Sequence, residues 1–315
     1  MSGLNPWSWW VHQWSRTESA IPLALFRIAV SMVVVLDAIS LLAAGVLDPL
    51  YMPIAEGGFA PANRFDAPLL WMLDHTAATT TGLCGAMLVL GVLALIGLGG
   101  RITHLALLQV VLAWHALPMD IGGGYDRLLT NALWLLVLGN CTATLSVDCW
   151  RKHGRWVSDD QVGVMARYLA VAQLSILYAA TGSLKTGPGW RHPWDALFHS
   201  LQIDTWARFE HLPWLGHAWE ISQLGTIAAL WWERCFLVML PWFAVHAGWF
   251  DKRARHWARR EDLRWLILGY GLVVHGILGV FTNLGTFTTI TLCFYLPFFT
   301  GEEFSRVWGR VRGIE

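Results

Sequence analysis

"AIPLALFRIAVSMVVVLDAISLLAA", residues 20–44, decides the fold. The run is apolar almost throughout and carries two charges, Arg27 and Asp37. A helix of about 20 apolar residues crosses the hydrocarbon core of a bilayer, so the stretch reads as a membrane span. Further apolar runs lie near 78–99, 102–118, 127–147, 163–184, 222–249, 264–281 and 284–300. The predicted fold class is therefore all-α: a polytopic integral membrane helical bundle of about eight transmembrane helices, with interfacial helices beside them.

Composition points the same way. Of the 315 residues, 55% are hydrophobic and 14% charged, against about 25% charged in an ordinary soluble domain. Lys plus Arg and Asp plus Glu stand at 22 each. That balance excludes the basic excess of a nucleic-acid binder. The five cysteines form no CxxC pair and lie mostly in or beside apolar runs, where a thiol acts as a small buried hydrophobe. No repeat or low-complexity tract divides the chain, which reads as one membrane domain over 1–315.

The opening "MSGLNPWSWWVHQWSR" lacks a basic n-region and a cleavage site, so it is not a secretory signal. Residues 1–19 read instead as an interfacial helix, with Trp7, Trp9, Trp10 and Trp14 at headgroup level. With eight spans, the long connections 45–77, 119–126 and 185–221 fall on one side. The opposite side holds Arg16, Arg101, "RKHGR" (151–155), the basic run 251–264, and Arg306, Arg310 and Arg312 of the tail 301–315. The Lys/Arg bias places both termini in the cytoplasm, in a membrane such as the bacterial cytoplasmic membrane. Segment 192–210 is too polar to span; Trp194, Leu197, Leu201, Trp206 and Phe209 suit an amphipathic lid or a linker.

Charges inside apolar runs demand partners. Arg27 and Asp37 are separated by about 15 Å along a helix axis and do not pair with each other. Glu233 and Arg234 interrupt the sixth run. By depth, Asp37 and Arg234 can meet, and His115, Asn131 and His275 add polar groups. A structural charge network of Arg27, Asp37, Glu233 and Arg234 is one reading; an inward-facing functional cavity is the other. In "DIGGGYDRLLTNALW" (120–134), glycines permit a tight turn and Asp126 opens a helix, where an acid also suits the helix dipole. No GxGxxG, P-loop or HExxH occurs. The two histidines of "HLPWLGH" (211–217) lack companion ligands, so no metal is expected.

Several of these segments, in order, resemble one family. "ALFRIAVSMVVVLDAI", "GGGYDRLLTNALW", "LYAATGSLKTGPGW", "LQIDTWAR", "ALWWERCF" and "HGILGVFTNLGTF" are similar to successive stretches of the horizontally transferred transmembrane (HTTM) domain, the membrane module of vitamin K-dependent γ-carboxylases. The resemblance covers roughly residues 17–300. It implies that Lys185 is a base that deprotonates a reduced quinone of the vitamin K or menaquinol type. The anion then reacts with oxygen, and the resulting strong base drives carboxylation of a peptide glutamate. By the outer-half depth of these residues, Lys185 is expected to line a pocket with Trp190, Asp126 and His275; Lys185, Asp126 and His275 are the expected catalytic residues, and Trp190, Tyr125, Asn131 and His115 the expected substrate-binding residues.

Lysine is a poor base in water, and an apolar setting makes it a better one. A lysine at the end of a span also serves simply as a surface anchor. The carboxylases carry a large soluble region after the membrane module, whereas this chain stops at 315; in place of their histidine at the fourth span stand Tyr125 and Asp126. Two alternatives to the quinol-linked enzyme stay open. One is a peptide or toxin maturation factor resembling the sporulation-delaying branch of the family. The other is a non-catalytic protein that binds or transports lipid. Expected partners are membrane lipids, a quinone-type small molecule and a peptide substrate, without nucleic acid.

Overall fold

Helices form wherever the apolar runs are uninterrupted, and a single two-stranded ribbon accompanies them among the described residues. The structure, a computed structural model, describes residues 5–61, 67–118, 123–209, 218–250, 253, 256 and 262–311. The chain divides into two compact units, residues 1–170 with 289–315, and residues 171–288.

In chain order the elements are α1 (Pro6–Trp14), β1 (Thr17–Ser19), α2 (Ile21–Ala44), α3 (Leu47–Tyr51), α4 (Ala77–Ile96), α5 (Gly100–His115), α6 (Gly124–Leu138), α7 (Val147–His153) and β2 (Gln161–Gly163). They continue with α8 (Met165–Leu184), α9 (Ala196–Ser200), α10 (Trp219–Cys235), α11 (Met239–His246), α12 (Leu263–Phe281), α13 (Phe287–Cys293) and α14 (Gly301–Val311).

In the first unit α2 packs on α4, α4 on α5, α5 on α6, and α6 back on α2. Local chemistry sets the ends. The Thr76 side chain accepts the Thr79 amide at the start of α4, and Gly97, at φ 71°, ends it. The short link 97–99 then returns the chain as α5.

At this same end Arg27 is fully buried. Its guanidinium donates to the carbonyls of Cys141 (3.1 Å), Ala94 (2.6 Å), Leu95 (2.7 Å) and Leu145 (2.6 Å). Ala94 O also accepts the Gly97 amide at 3.1 Å, and a cation at these last carbonyls of α4 meets the negative end of the helix dipole. A Cβ on Gly97 would lie 2.8 Å from Arg27 Nη1, so the glycine makes room for the guanidinium.

The β1–β2 ribbon pairs Glu18 with Val162 in antiparallel register. It brings Glu18 to Arg167 at the start of α8, where Nε and Nη2 each donate at 2.6 Å to one carboxylate oxygen. Arg167 Nη1 also donates to Pro297 O at 2.8 Å. This buried fork ties the first strand, α8 and the chain before α14 together.

Among the described residues, four helical stretches are long and apolar enough to cross a membrane: Ile21–Ala44, Ala77–Ile96, Trp219–His246 and Leu263–Phe281. The last two belong to the second unit. Their outward faces are apolar as well. Met32, Leu36 and Ile39 on α2, and Leu272, Val273, Ile277 and Val280 on α12, are exposed, an arrangement unsuited to water but natural against lipid.

Of the eight expected spans, these four meet the length and composition of a span among the described residues, and the other four are not shown. At 16 and 15 residues, α5 and α6 are shorter than the run of about 20 that a span needs. Leu138 ends α6 because Gly139 turns extended, although the sequence stays apolar beyond it. The expected helix 284–300 is only α13 plus a short turn around Pro297. At 20 residues α8 has the length, but Arg167, Gln173, Ser175, Thr181 and Ser183 interrupt its apolar character.

Within residues 192–209 the chain is helical over α9. The Leu197 amide donates to Thr226 Oγ1 at 3.2 Å, which seats α9 on α10. Farther on, Asn283 N donates to Trp206 O at 2.8 Å and Arg208 N to Phe281 O at 3.1 Å, strapping the segment to the end of α12.

Candidate functional site

Within the second unit α8 and α10 approach closely at one glycine. A Cβ on Gly182 would lie 2.8 Å from Glu233 Cβ and 2.9 Å from the Arg234 amide nitrogen. The missing side chain lets the two backbones meet, and Arg234 Nε donates to Gly182 O at 2.9 Å. Three residues beyond Gly182, α8 has ended, and Lys185 turns onto Glu233. Its Nζ donates to both carboxylate oxygens. The pair is half-shielded, with side chains 25% and 13% exposed. The Trp190 ring, delivered by the turn Pro188–Trp190, lies with its centroid 4.7 Å from Nζ. The Thr181 hydroxyl, one turn before Lys185 on α8, donates to Tyr178 O at 3.0 Å.

One helical face leads inward from this pair. Tyr178 precedes Lys185 by seven residues, two turns along one side of α8. Its hydroxyl shares a hydrogen bond with His275 Nε2 of α12. Aromatic rings enclose the two: Trp232 lies 4.6 Å and Phe236 4.5 Å from the Tyr178 ring, and Phe287 lies 5.7 Å from His275. Trp232 is held in turn by its Nε1, which donates to Ile267 O at 2.9 Å. Of the residues singled out in the sequence, Lys185, Glu233, Trp190, Arg234 and His275 thus all lie in this unit. Lys185, Glu233 and Trp190 touch directly, and His275 sits deeper with Tyr178.

Other sequence candidates belong to the first unit and form a polar cluster there, at the end opposite Arg27. Asp126 Oδ2 accepts the Gly123 amide at 2.8 Å and so caps α6, while His115 Nε2 lies 3.3 Å from Asp126 Oδ1. Asp37 lies within electrostatic range of Asp126. Tyr51 of α3 stacks on Trp114, ring centroids 4.1 Å apart. Burial, then the proximity of Asp37, Tyr125 and Asp126, push the Tyr51 phenol above its usual range. Tyr125 is half-buried here, whereas Asn131 is exposed on α6. Arg27 has the purely structural set of carbonyl partners described above.

Sequence reasoning missed Tyr178, Thr181, Trp232, Glu18 and Arg167. The seven-residue spacing of Tyr178 from Lys185 was a readable signal for the first of these. Among the described residues no group of three His, Cys, Asp or Glu side chains has a geometry that would hold a metal ion. The histidines of 211–217 lie outside the described residues.

In chemical terms, the second unit presents an amine and a carboxylate in direct contact, an indole face above them and a phenol–imidazole pair beneath. Such a group can accept a proton from an acidic hydroxyl and hold the resulting anion against a cation. No family model, curated protein or solved structure matches this chain.

Proposed function

We propose that this chain is an integral membrane enzyme that removes the hydroxyl proton of a quinol-type lipid, with Lys185 and Glu233 as the proton-accepting couple. The observation that carries the reading is the half-shielded contact of Lys185 Nζ with both Glu233 oxygens beneath the Trp190 ring. An ammonium is no base. In an apolar setting, however, an ion pair and its neutral tautomer, amine plus carboxylic acid, approach one another in energy, because desolvation penalises both charges. The amine of that tautomer takes the hydroxyl proton, Glu233 keeps the other, and the restored ammonium balances the new oxyanion. A flat ring fits against Trp190, and the exposed Leu184, Ile221 and Leu224 of the same unit offer an apolar approach.

The HTTM resemblance supports this reading. It supplies dioxygen as the oxidant of the quinol anion and a γ-carboxylase-like reaction as the wider class. The four apolar helices support the membrane setting, and the Lys/Arg bias of the sequence supports cytoplasmic termini. Mass spectrometry of lipid carried through purification tests the proposal. A quinone or quinol retained by the native chain and lost from Trp190→Ala supports it. A native chain that carries only phospholipid, and takes up no added quinol, overturns it.

A further inference from the structure

The ribbon end of the first unit carries two short amphipathic helices with the same pattern. On α1, Trp7, Trp10 and Val11 are 69%, 43% and 45% exposed, at positions i, i+3 and i+4. On α14, Phe304 is half-buried while Val307 and Trp308 are 60% and 61% exposed, again at i, i+3 and i+4. That spacing lines one face of a helix. Glu302 and Arg306, both exposed, stand on the other face of α14.

Both helices are anchored at the place where α2 begins. Residues 15–16 alone separate α1 from β1, and β1 leads directly into α2. The start of α14 contacts β1 and α2. There a Cβ on Gly301 would come within 2.4 Å of Ser19 Cβ, so the chain is pressed against the strand. Nearby, Glu303 accepts from the Thr300 amide at 2.7 Å and caps the helix. The fixed end and the exposed stripe are therefore separate features of α14.

We propose that α14 is an interfacial foot rather than a tail in the aqueous phase: with α1, it lies in the phospholipid headgroup layer around the start of α2, its Phe304–Val307–Trp308 face turned into the lipid. The occupant follows from position. A helix long enough to cross the bilayer leaves the hydrocarbon where it begins, and that is the depth at which tryptophan is most at home. Exposed stripes radiating from that point meet headgroups and upper acyl chains, and an acidic and basic opposite face meets water. This inference rests on the membrane reading but not on the quinol chemistry.

The test uses the full chain in phosphatidylcholine vesicles with a Cys235→Ser background, because the other four cysteines are buried. A bimane label is placed in turn at Val307→Cys, Glu302→Cys and Leu36→Cys and quenched with iodide. The expected iodide slope at position 307 is at least about threefold smaller than at 302, independent of protein density in the vesicle, with 307 quenched instead by lipids brominated high on the acyl chain. Equal iodide slopes at 307 and 302, while 36 stays shielded, overturn the foot and leave the membrane reading intact. Shielding at 307 that vanishes on dilution of the protein in lipid also overturns it, in favour of contact between copies. Iodide access at 36 overturns the membrane reading itself and this inference with it.

Discussion

Gly182→Ala should weaken the protein and loosen Lys185 from Glu233. The added methyl would lie 2.8 Å from Glu233 Cβ, 2.9 Å from the Arg234 amide nitrogen and 3.1 Å from Arg234 Cγ, where ordinary contact begins at 3.4 Å. Two of these three neighbours are backbone or Cβ, so they cannot swing away as a flexible chain end would. The helices must part by about half an ångström, and overpacking of this kind costs roughly 1–3 kcal/mol. Gly276→Ala is the control. It sits in α12 with nothing within 4 Å of a new Cβ, so the better helix propensity of alanine should stabilise it by up to about 1 kcal/mol. Thermal unfolding in detergent, compared across native, Gly182→Ala and Gly276→Ala chains, reads both effects. A Gly182→Ala chain that melts with or above Gly276→Ala would refute the close approach of α8 and α10.

Arg27→Ala should cost at least about 3 kcal/mol, since several buried carbonyls each lose a charged donor, whereas exposed Arg306→Ala should leave the melting temperature nearly unchanged. Arg27→Lys should recover only part of the loss, because a single ammonium cannot serve four carbonyls fixed around a planar guanidinium. Glu18→Gln, which takes the anionic partner from buried Arg167, should destabilise by about 3–5 kcal/mol in the same assay. Asp160 is partly exposed, and hydrogen bonds from Lys152 and then His153 hold its carboxyl below the usual range. A depressed folded-state value stabilises above the unfolded value and is lost as pH falls through the folded one. Asp160→Asn should thus lower the melting temperature slightly at pH 7, and the difference should shrink as pH falls below the usual carboxylate range; a difference that persists in strong acid would contradict the assignment.

What was legible depended on whether one segment carried the whole signal. The run 20–44 announces α2 because its apolar length needs no partner to interpret, and the helix ends one residue before Gly45. The runs at 127–147 and 284–300 misled, since hydropathy does not register that Gly139 and Pro297 break helical geometry inside an apolar stretch. Arg27 was recognisable as a buried charge in want of partners. That those partners are carbonyls was not recognisable, because a backbone acceptor has no letter in the sequence. Lys185 and Glu233 were each singled out, but their contact joins positions 48 apart and depends on the space left by Gly182. The apolar residues of 192–210 gave no sign that backbone bonds at Trp206 and Arg208 reach residues 281–283.

The central claim is that Lys185 gives up and takes back a proton in partnership with Glu233. Oxygen uptake by reconstituted protein supplied with a reduced quinone, native against Lys185→Arg, tests it most directly. Arginine keeps the cation and can still pair with Glu233, but it does not release its proton at neutral pH. The account predicts quinol-dependent uptake by the native chain and at least about a hundredfold loss in Lys185→Arg, the scale of a missing general base, with the melting temperature preserved. Uptake at the native rate in Lys185→Arg would show that only the charge matters and would contradict the proposed role of Lys185.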